Sequence, residues 1–391
     1  MDTLLSSPYY AFGALGLAAI LAFLVHRHQQ VEFPDYHALA GVPLPTPLLQ
    51  FDIDTAKPRP YRPFRWSVHA HDAVIVALKK LDPDFWIELE STYRVRIAQR
   101  KELYAKHGSK LMDALPGSEH ASRELMGTAI QFLCARYPAQ FQFDPRTAVF
   151  LNAILGTSFD IRTTDPWHFL LENVPEDFLL TQADPKTGLY TLTAGIACSA
   201  MGWNVATKIG KPLHEIHKIV PDYKEKMQMS MDRWFTKLTS DKPIQRGSWG
   251  LEVGQPLFMQ PGDPHSELRQ RQDPALRLED IHLRVDWQAV RRLPASKGIV
   301  FSFKALFTPM TEFRDEPFIP ALVAMALREG SKPIMEYKGT FHIEHVALPA
   351  LEAWAKEQEE MGLVPKDWKV RTLDEDPFFP GWRRKWNLGK Q

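Results

Sequence analysis

Cysteine is nearly missing from this chain of 391 residues: Cys134 and Cys198 are the only two. A disulfide framework is therefore excluded, and reducing surroundings are the simpler reading. An all-cysteine iron–sulfur cluster needs four thiolates, so the chain cannot carry one alone. CxxC and CxxCH are absent, which removes covalent haem attachment. Nucleotide loops of the GxGxxG or GxxxxGK(S/T) kind are absent too. So are the GxSxG elbow of serine hydrolases and the HExxH of zinc proteases. Charge of one sign is not in excess either: Lys+Arg and Asp+Glu are each 47. With no long basic block, nothing marks nucleic acid as a partner.

What is present is ordinary for a folded protein: 24% charged and 45% hydrophobic residues, with 11 Trp and 23 Phe. The aromatics supply surface for a core or for a flat aromatic ligand. One long apolar run exists, residues 9–25, followed by His26-Arg27-His28. It predicts an uncleaved N-terminal membrane-spanning helix, since the positive charge follows the run rather than preceding it. A cleaved signal peptide and a buried helix are the rivals. The positive-inside rule then puts the main domain in the cytosol, as a single-pass protein of the endoplasmic reticulum. Residues 31–65 hold seven prolines and read as a connector.

Helical patterns follow over 72–81, 84–107 and from Ser118 to Cys134. From about Ala139 short β-prone runs take over: 141–143, 178–181, 189–198, 250–253, 282–285 and 298–306. Amphipathic helices are expected at 222–238, 317–328 and 348–361. Helices first, then an antiparallel-looking sheet, define an α+β fold rather than a βαβ array.

The chemistry converges on Gly188–Pro221. Two histidines, His214 and His217, stand one helical turn apart after a β-run and before Val220-Pro221. Imidazole is a common donor to iron and zinc. A second pair, His342 and His345, has the same spacing but no completing ligands, and reads as structural. Arg246 and Trp249 form an Arg-Gly-Ser-Trp run. Arg284, Arg291 and Arg292 follow, and a guanidinium is a planar fork suited to carboxylates. Taken alone, these residues leave the choice between His214 and His217 open.

Several segments together resemble the haem-binding α-subunit family of the haem-dependent oxidative N-demethylases. They are Arg62-Pro63-Phe64-Arg65, Trp86-Ile87-Glu88-Leu89-Glu90 with Tyr93, and Pro175-Glu176-Asp177-Phe178. The turn from Ala197 to Trp203 and Lys208 to Pro212 running to His217 and Pro221 come next. Arg246 with Trp249, and Leu283-Arg284-Val285 continuing through Arg291-Arg292 to Phe301, complete the set. The resemblance implies a PAS-like antiparallel sheet flanked by helices over haem b. It implies oxygen activation, with electrons from an external FMN and iron–sulfur reductase fed by NADPH. It favours His217 as the axial iron ligand over His214. It places Arg246 and Trp249 at the catalytic site, and Arg284, Arg291 and Arg292 around the cofactor.

The expected organisation is thus a membrane anchor (1–30), a Pro-rich connector (31–65), a PAS-like haem domain (66–345) and a C-terminal helix and tail (346–391). The expected activity is that of a haem-dependent monooxygenase or oxidative demethylase acting on a small amine or lipophilic metabolite. A haem-based sensor without catalysis is the alternative. The run from 255 to 280 is an insertion relative to the family pattern, and Ile219 stands where that pattern has a proline.

Overall fold

The computed structural model describes residues 33–66 and 78–386. The fold is α+β. Its strands, in chain order, are β1 (Lys79–Lys80), β2 (Met112–Ala114), β3 (Phe141–Asp144), β4 (Val149–Asn152) and β5 (Thr157–Asp160). Then come β6 (Asp177–Ala183), β7 (Tyr190–Ile196), β8 (Ile244–Val253), β9 (Ile281–Arg292) and β10 (Ile299–Pro309). Seven of them form one sheet in the order β1-β8-β9-β10-β6-β7-β2, and every neighbouring pair is antiparallel. β3, β4 and β5 make a small separate sheet.

Alternation divides the large sheet into two faces. The register β8–β9–β10 sets Arg246 beside Gln288 and Phe303, and Ser248 beside Asp286 and Ala305. These residues share what is called here the front face. The back face carries Leu283, Val285, Trp287, Val300, Ser302 and Lys304. It is the more apolar of the two and holds the main cores.

Helix α1 (Tyr93–His107), α2 (Glu119–Arg136) and α3 (Pro166–Asn173) cover one end of the back face, around Trp86, Phe132, Phe169 and Phe178. The start of α3 is built from local chemistry. The Asp165 carboxylate accepts from the backbone N–H groups of Trp167 and His168, and Pro166 supplies the fixed φ of a first turn. Helix α4 (Gln228–Lys237) lies between β7 and β8, and α5 (Ile319–Glu329), α6 (Lys332–Lys338) and α7 (Phe341–Glu360) follow β10. Of these, α5 and α7 close the other end of the back face around Phe313, Ile319, Val323 and Leu351.

The connector is part of this core. Tyr61 and Phe64 are buried, Tyr61 stacks on Trp287 at 3.9 Å, and the Arg62 guanidinium donates twice to Glu316 at 2.6 Å. The C-terminal Trp386 is buried and donates to the Lys57 carbonyl at 2.8 Å, so the tail caps the domain.

Three expectations are corrected. Among the described residues no helix is long and apolar enough to cross a membrane, and residues 9–25 lie outside the described residues. The single-pass membrane assignment, and the endoplasmic-reticulum placement built on it, are withdrawn. The helix expected over 84–107 begins only at Tyr93. The Glu90 carboxylate accepts from the Thr92 N–H (2.7 Å) and hydroxyl (2.6 Å), turning the chain there. Finally, the helix expected over 348–361 begins earlier: α7 runs unbroken from Phe341 through Pro349 to Glu360. Most of the helix expected over 72–81 lies outside the described residues, and Lys79–Lys80 within it form β1.

Candidate functional site

The segment between β7 and β8 folds over the front face. Its path is set by one buried carboxylate, Asp177, at the start of β6. Asp177 accepts from the backbone N–H of Cys198 (2.9 Å) and Ser199 (2.7 Å), from the Ser199 hydroxyl and from Arg100 of α1. Arg284 completes the clamp from β9. It donates to the carbonyls of Ser199, Pro256 (2.9 Å) and Leu257 (3.3 Å), and to Asp286 at 3.0 Å. Beyond this anchor, Ala197, Ala200 and Val205 pack on Phe303. Tyr190, Leu213, Phe235 and Leu238 pack on Val290 and Ile299. Trp203, Ile209, Met231, Trp234, Leu179 and Phe301 border these clusters without being fully enclosed.

His217 lies in this covering segment, at the end of the helical turn Leu213–Ile216. Its Nδ1 lies 2.8 Å from the Leu213 carbonyl oxygen. A carbonyl only accepts, so Nδ1 carries the proton and Nε2 keeps its lone pair. The ring stacks on Tyr223, centroids 5.0 Å apart and planes 13° apart. Burial lowers the imidazole pKa from 6.5; the Leu213 bond opposes that, and the cations Lys208 and Arg246 add to it. A neutral imidazole with its ring fixed by a backbone carbonyl is the donor state that iron takes. His214, one turn earlier, is half-buried and makes no ring hydrogen bond among the described residues.

Arg246 reaches the front face from β8. Its Nε donates to Gln288, and among the described residues no carboxylate pairs with it. Burial lowers its pKa, so the cation is held in a poorly solvated place. The structure does not bring the remaining arginines to the same task. Arg292 shares the front face but donates to the carbonyls of Leu238 (2.6 Å), Phe235 (2.6 Å) and Lys297 (3.0 Å) and to the Tyr190 hydroxyl (2.7 Å). It caps the end of α4. Arg284 is likewise occupied by carbonyls. Arg291 points to the back face, over the Trp86 ring at 4.2 Å, where burial drops its pKa to about 10.

Trp249 is also on the back face, edge-on to Phe64 at 5.0 Å. It stands three positions after Arg246, and an odd offset along a strand reverses the face. The Lys338 ammonium sits 4.1 Å from the centre of the Trp249 ring and donates to the Trp249 carbonyl at 2.7 Å. Burial lowers its pKa to about 8, while Asp286 opposes and Arg246 reinforces that change. Sequence reading passed over Lys338 because it belongs to no motif.

Cys198 is fully buried and its thiol is pushed up to about 12 by burial, so it is a core group rather than a thiolate ligand. The pair His342 and His345 is structural: His342 Nδ1 donates to the Gly339 carbonyl at 2.9 Å, and His345 Nε2 to the Asp273 carbonyl at 2.8 Å. No group of three His, Cys, Asp or Glu able to hold a metal ion occurs among the described residues.

An antiparallel sheet covered by a segment that carries His214 and His217, with the Arg246 guanidinium on the covered face unpaired by any carboxylate among the described residues, frames the candidate site. The match to known families is more specific. Residues 77–348, more than half of the chain, match the family model of the haem-dependent oxidative N-demethylase, alpha subunit-like proteins, and the chain belongs to that family. Family membership supports haem dependence and an oxidoreductase activity.

Proposed function

We propose that the protein is a haem-dependent oxidoreductase of the oxidative demethylase type, in which His217 would hold the iron of haem b. The observation that carries this reading is the Nδ1–H of His217 held by the Leu213 carbonyl, which leaves Nε2 as the donor. The donor set fits a haem: one neutral imidazole, an apolar and aromatic wall including Trp203, Phe301 and Trp234, and Arg246 and Lys208 as the nearest cations. Arg246 suits a haem propionate or any negative charge formed in the pocket.

When bound, haem supplies the redox chemistry with oxygen. The chain's own part is to hold His217 neutral, to exclude water with the Ala197–Leu238 cover, and to keep a cation facing the site. Two cysteines leave no internal iron–sulfur relay. Electrons then come from an external FMN and iron–sulfur reductase using NADPH, and the substrate is a small amine or lipophilic molecule oxidised with O2.

The test is haem reconstitution followed by absorbance. A Soret band lost in His217→Ala and retained in His214→Ala is the expected result. The reverse pattern, or no band in the unmodified protein, overturns the assignment. Amine-stimulated NADPH oxidation with a reductase separates the enzyme from a haem sensor.

A further inference from the structure

A second cavity lies on the back face, away from His217. It is formed where the core around Trp86 meets the core around Trp287. An inner chamber of about 30 Å³ is walled by Trp86, Glu88, Glu90, Glu176, Trp287 and Lys304. An outer cleft of about 340 Å³ is lined by Tyr61, Val285, Phe307 and Thr308 among others. The two compartments share Lys57, Pro58, Arg59, Leu306 and Trp386. The cleft alone is in the size range of small-molecule sites, about 300–1,000 Å³. The chamber holds about two water-sized groups, at roughly 10–15 Å³ each.

Four polar atoms of the chamber lining have no hydrogen-bond partner among the described residues: Glu176 Oε2, Trp86 Nε1, Trp287 Nε1 and Arg136 Nε. Their side chains are buried to 4%, 4%, 8% and 6% exposure. A buried polar atom without a partner is destabilising, and two structural cores have no reason to concentrate several at one point. Three cations of the chamber lining are already paired. Arg59 holds Glu88, with Nε to Oε2 at 2.8 Å, Lys304 holds Glu90 at 3.1 Å and Arg136 holds Asp84 at 3.3 Å. Lys57 is exposed at the mouth. An incoming anion therefore meets cations that already have partners, and Glu176 beside it, whereas a neutral oxygen finds two indole donors and a carboxyl group.

We propose that this cavity is an accessory binding site for a neutral, flat molecule bearing a hydroxyl or carbonyl oxygen. The oxygen enters the chamber between Glu176, Trp86 and Trp287, and the apolar body lies in the cleft against Leu306 and Trp386. The site is independent of the haem reading, because it opens on the opposite face of the sheet.

The test uses 4-fluorophenol as probe and 4-fluorobenzoate as its anionic counterpart. Each is titrated at pH 6 into the full chain, with and without haem, and followed by fluorine NMR. One saturable 4-fluorophenol site is expected, with the same affinity in both forms and at least tenfold weaker binding of the benzoate. Leu306→Trp, which fills the passage shared by both compartments, is expected to abolish binding while leaving haem uptake unchanged. Glu176→Gln is expected to weaken binding less than Leu306→Trp. Absence of saturable binding, loss of the site on haem loading, equal binding of the benzoate, or indifference to Leu306→Trp each overturns the proposal.

Discussion

Replacing Glu176 by glutamine removes one ionisation from the protein and little else. The carboxyl group is buried at the head of β6, where one oxygen accepts from the Glu88 N–H at 3.0 Å and the other has no partner among the described residues. Burial raises its pKa from 4.5 to about 7; Lys304 and the backbone donors pull the other way, and Glu88 adds to the rise. The folded protein therefore holds a proton that the unfolded chain has released between these two values. Stability from this group is fully present below about pH 4.5 and is lost as pH rises through about 7. The gap of about 2.5 pH units, at about 1.4 kcal/mol each, amounts to about 3 kcal/mol. Glutamine keeps an acceptor for the Glu88 N–H and cannot ionise. Urea unfolding of both proteins at a series of pH values gives the difference directly, because all other titrations cancel. The stability of Glu176→Gln relative to the parent should rise by about 3 kcal/mol between pH 4.5 and pH 8. A difference that stays constant across that range would refute the placement of Glu176 in an unsolvated chamber.

Glu316→Ala leaves the Arg62 guanidinium buried without its partner, and is expected to cost about 3–5 kcal/mol in the same unfolding assay; a loss under 1 kcal/mol would mean that the pair is solvated. Gly247→Ala sets a methyl group 2.6 Å from Pro63 Cβ and 3.3 Å from the Trp287 ring, and should destabilise by about 1–3 kcal/mol. Because the His217 pKa is held below 6.5, haem affinity measured by Soret titration should be unchanged from pH 8 to 6.5 and fall only at more acidic pH. A midpoint above 6.5 would point to a solvated imidazole.

The elements that sequence made legible are those whose pattern serves burial alone. Residues 298–306 alternate plainly, and β10 runs Ile299–Pro309. Residues 118–134 repeat at helical spacing, and α2 runs Glu119–Arg136. β9 was visible only at 282–285, although it extends to Arg292. Beyond Val285 its front face carries Asp286, Gln288 and Arg292, and that polar row masks the strand. The chamber was not legible at all. Glu88, Glu90, Glu176 and Lys304 come from three separate parts of the chain, and only the fold brings them to one wall.

The candidate site follows from the same alternation. Arg246 and Trp249 were read together as one functional unit because they are close in sequence. In a strand their offset of three sends one to the covered front face and the other into the back core. Arg291 and Arg292 are adjacent and therefore opposed, one over Trp86 and one at the end of α4. Glu176 and Asp177 are adjacent as well. The first lines the back chamber, and the second anchors Ser199 and the start of the front cover. One pair of carboxylates at the start of β6 thus serves both faces of the sheet. His217 sits in a helical turn rather than in a strand. There the relevant neighbour is four residues back, and that neighbour, Leu213, holds its ring.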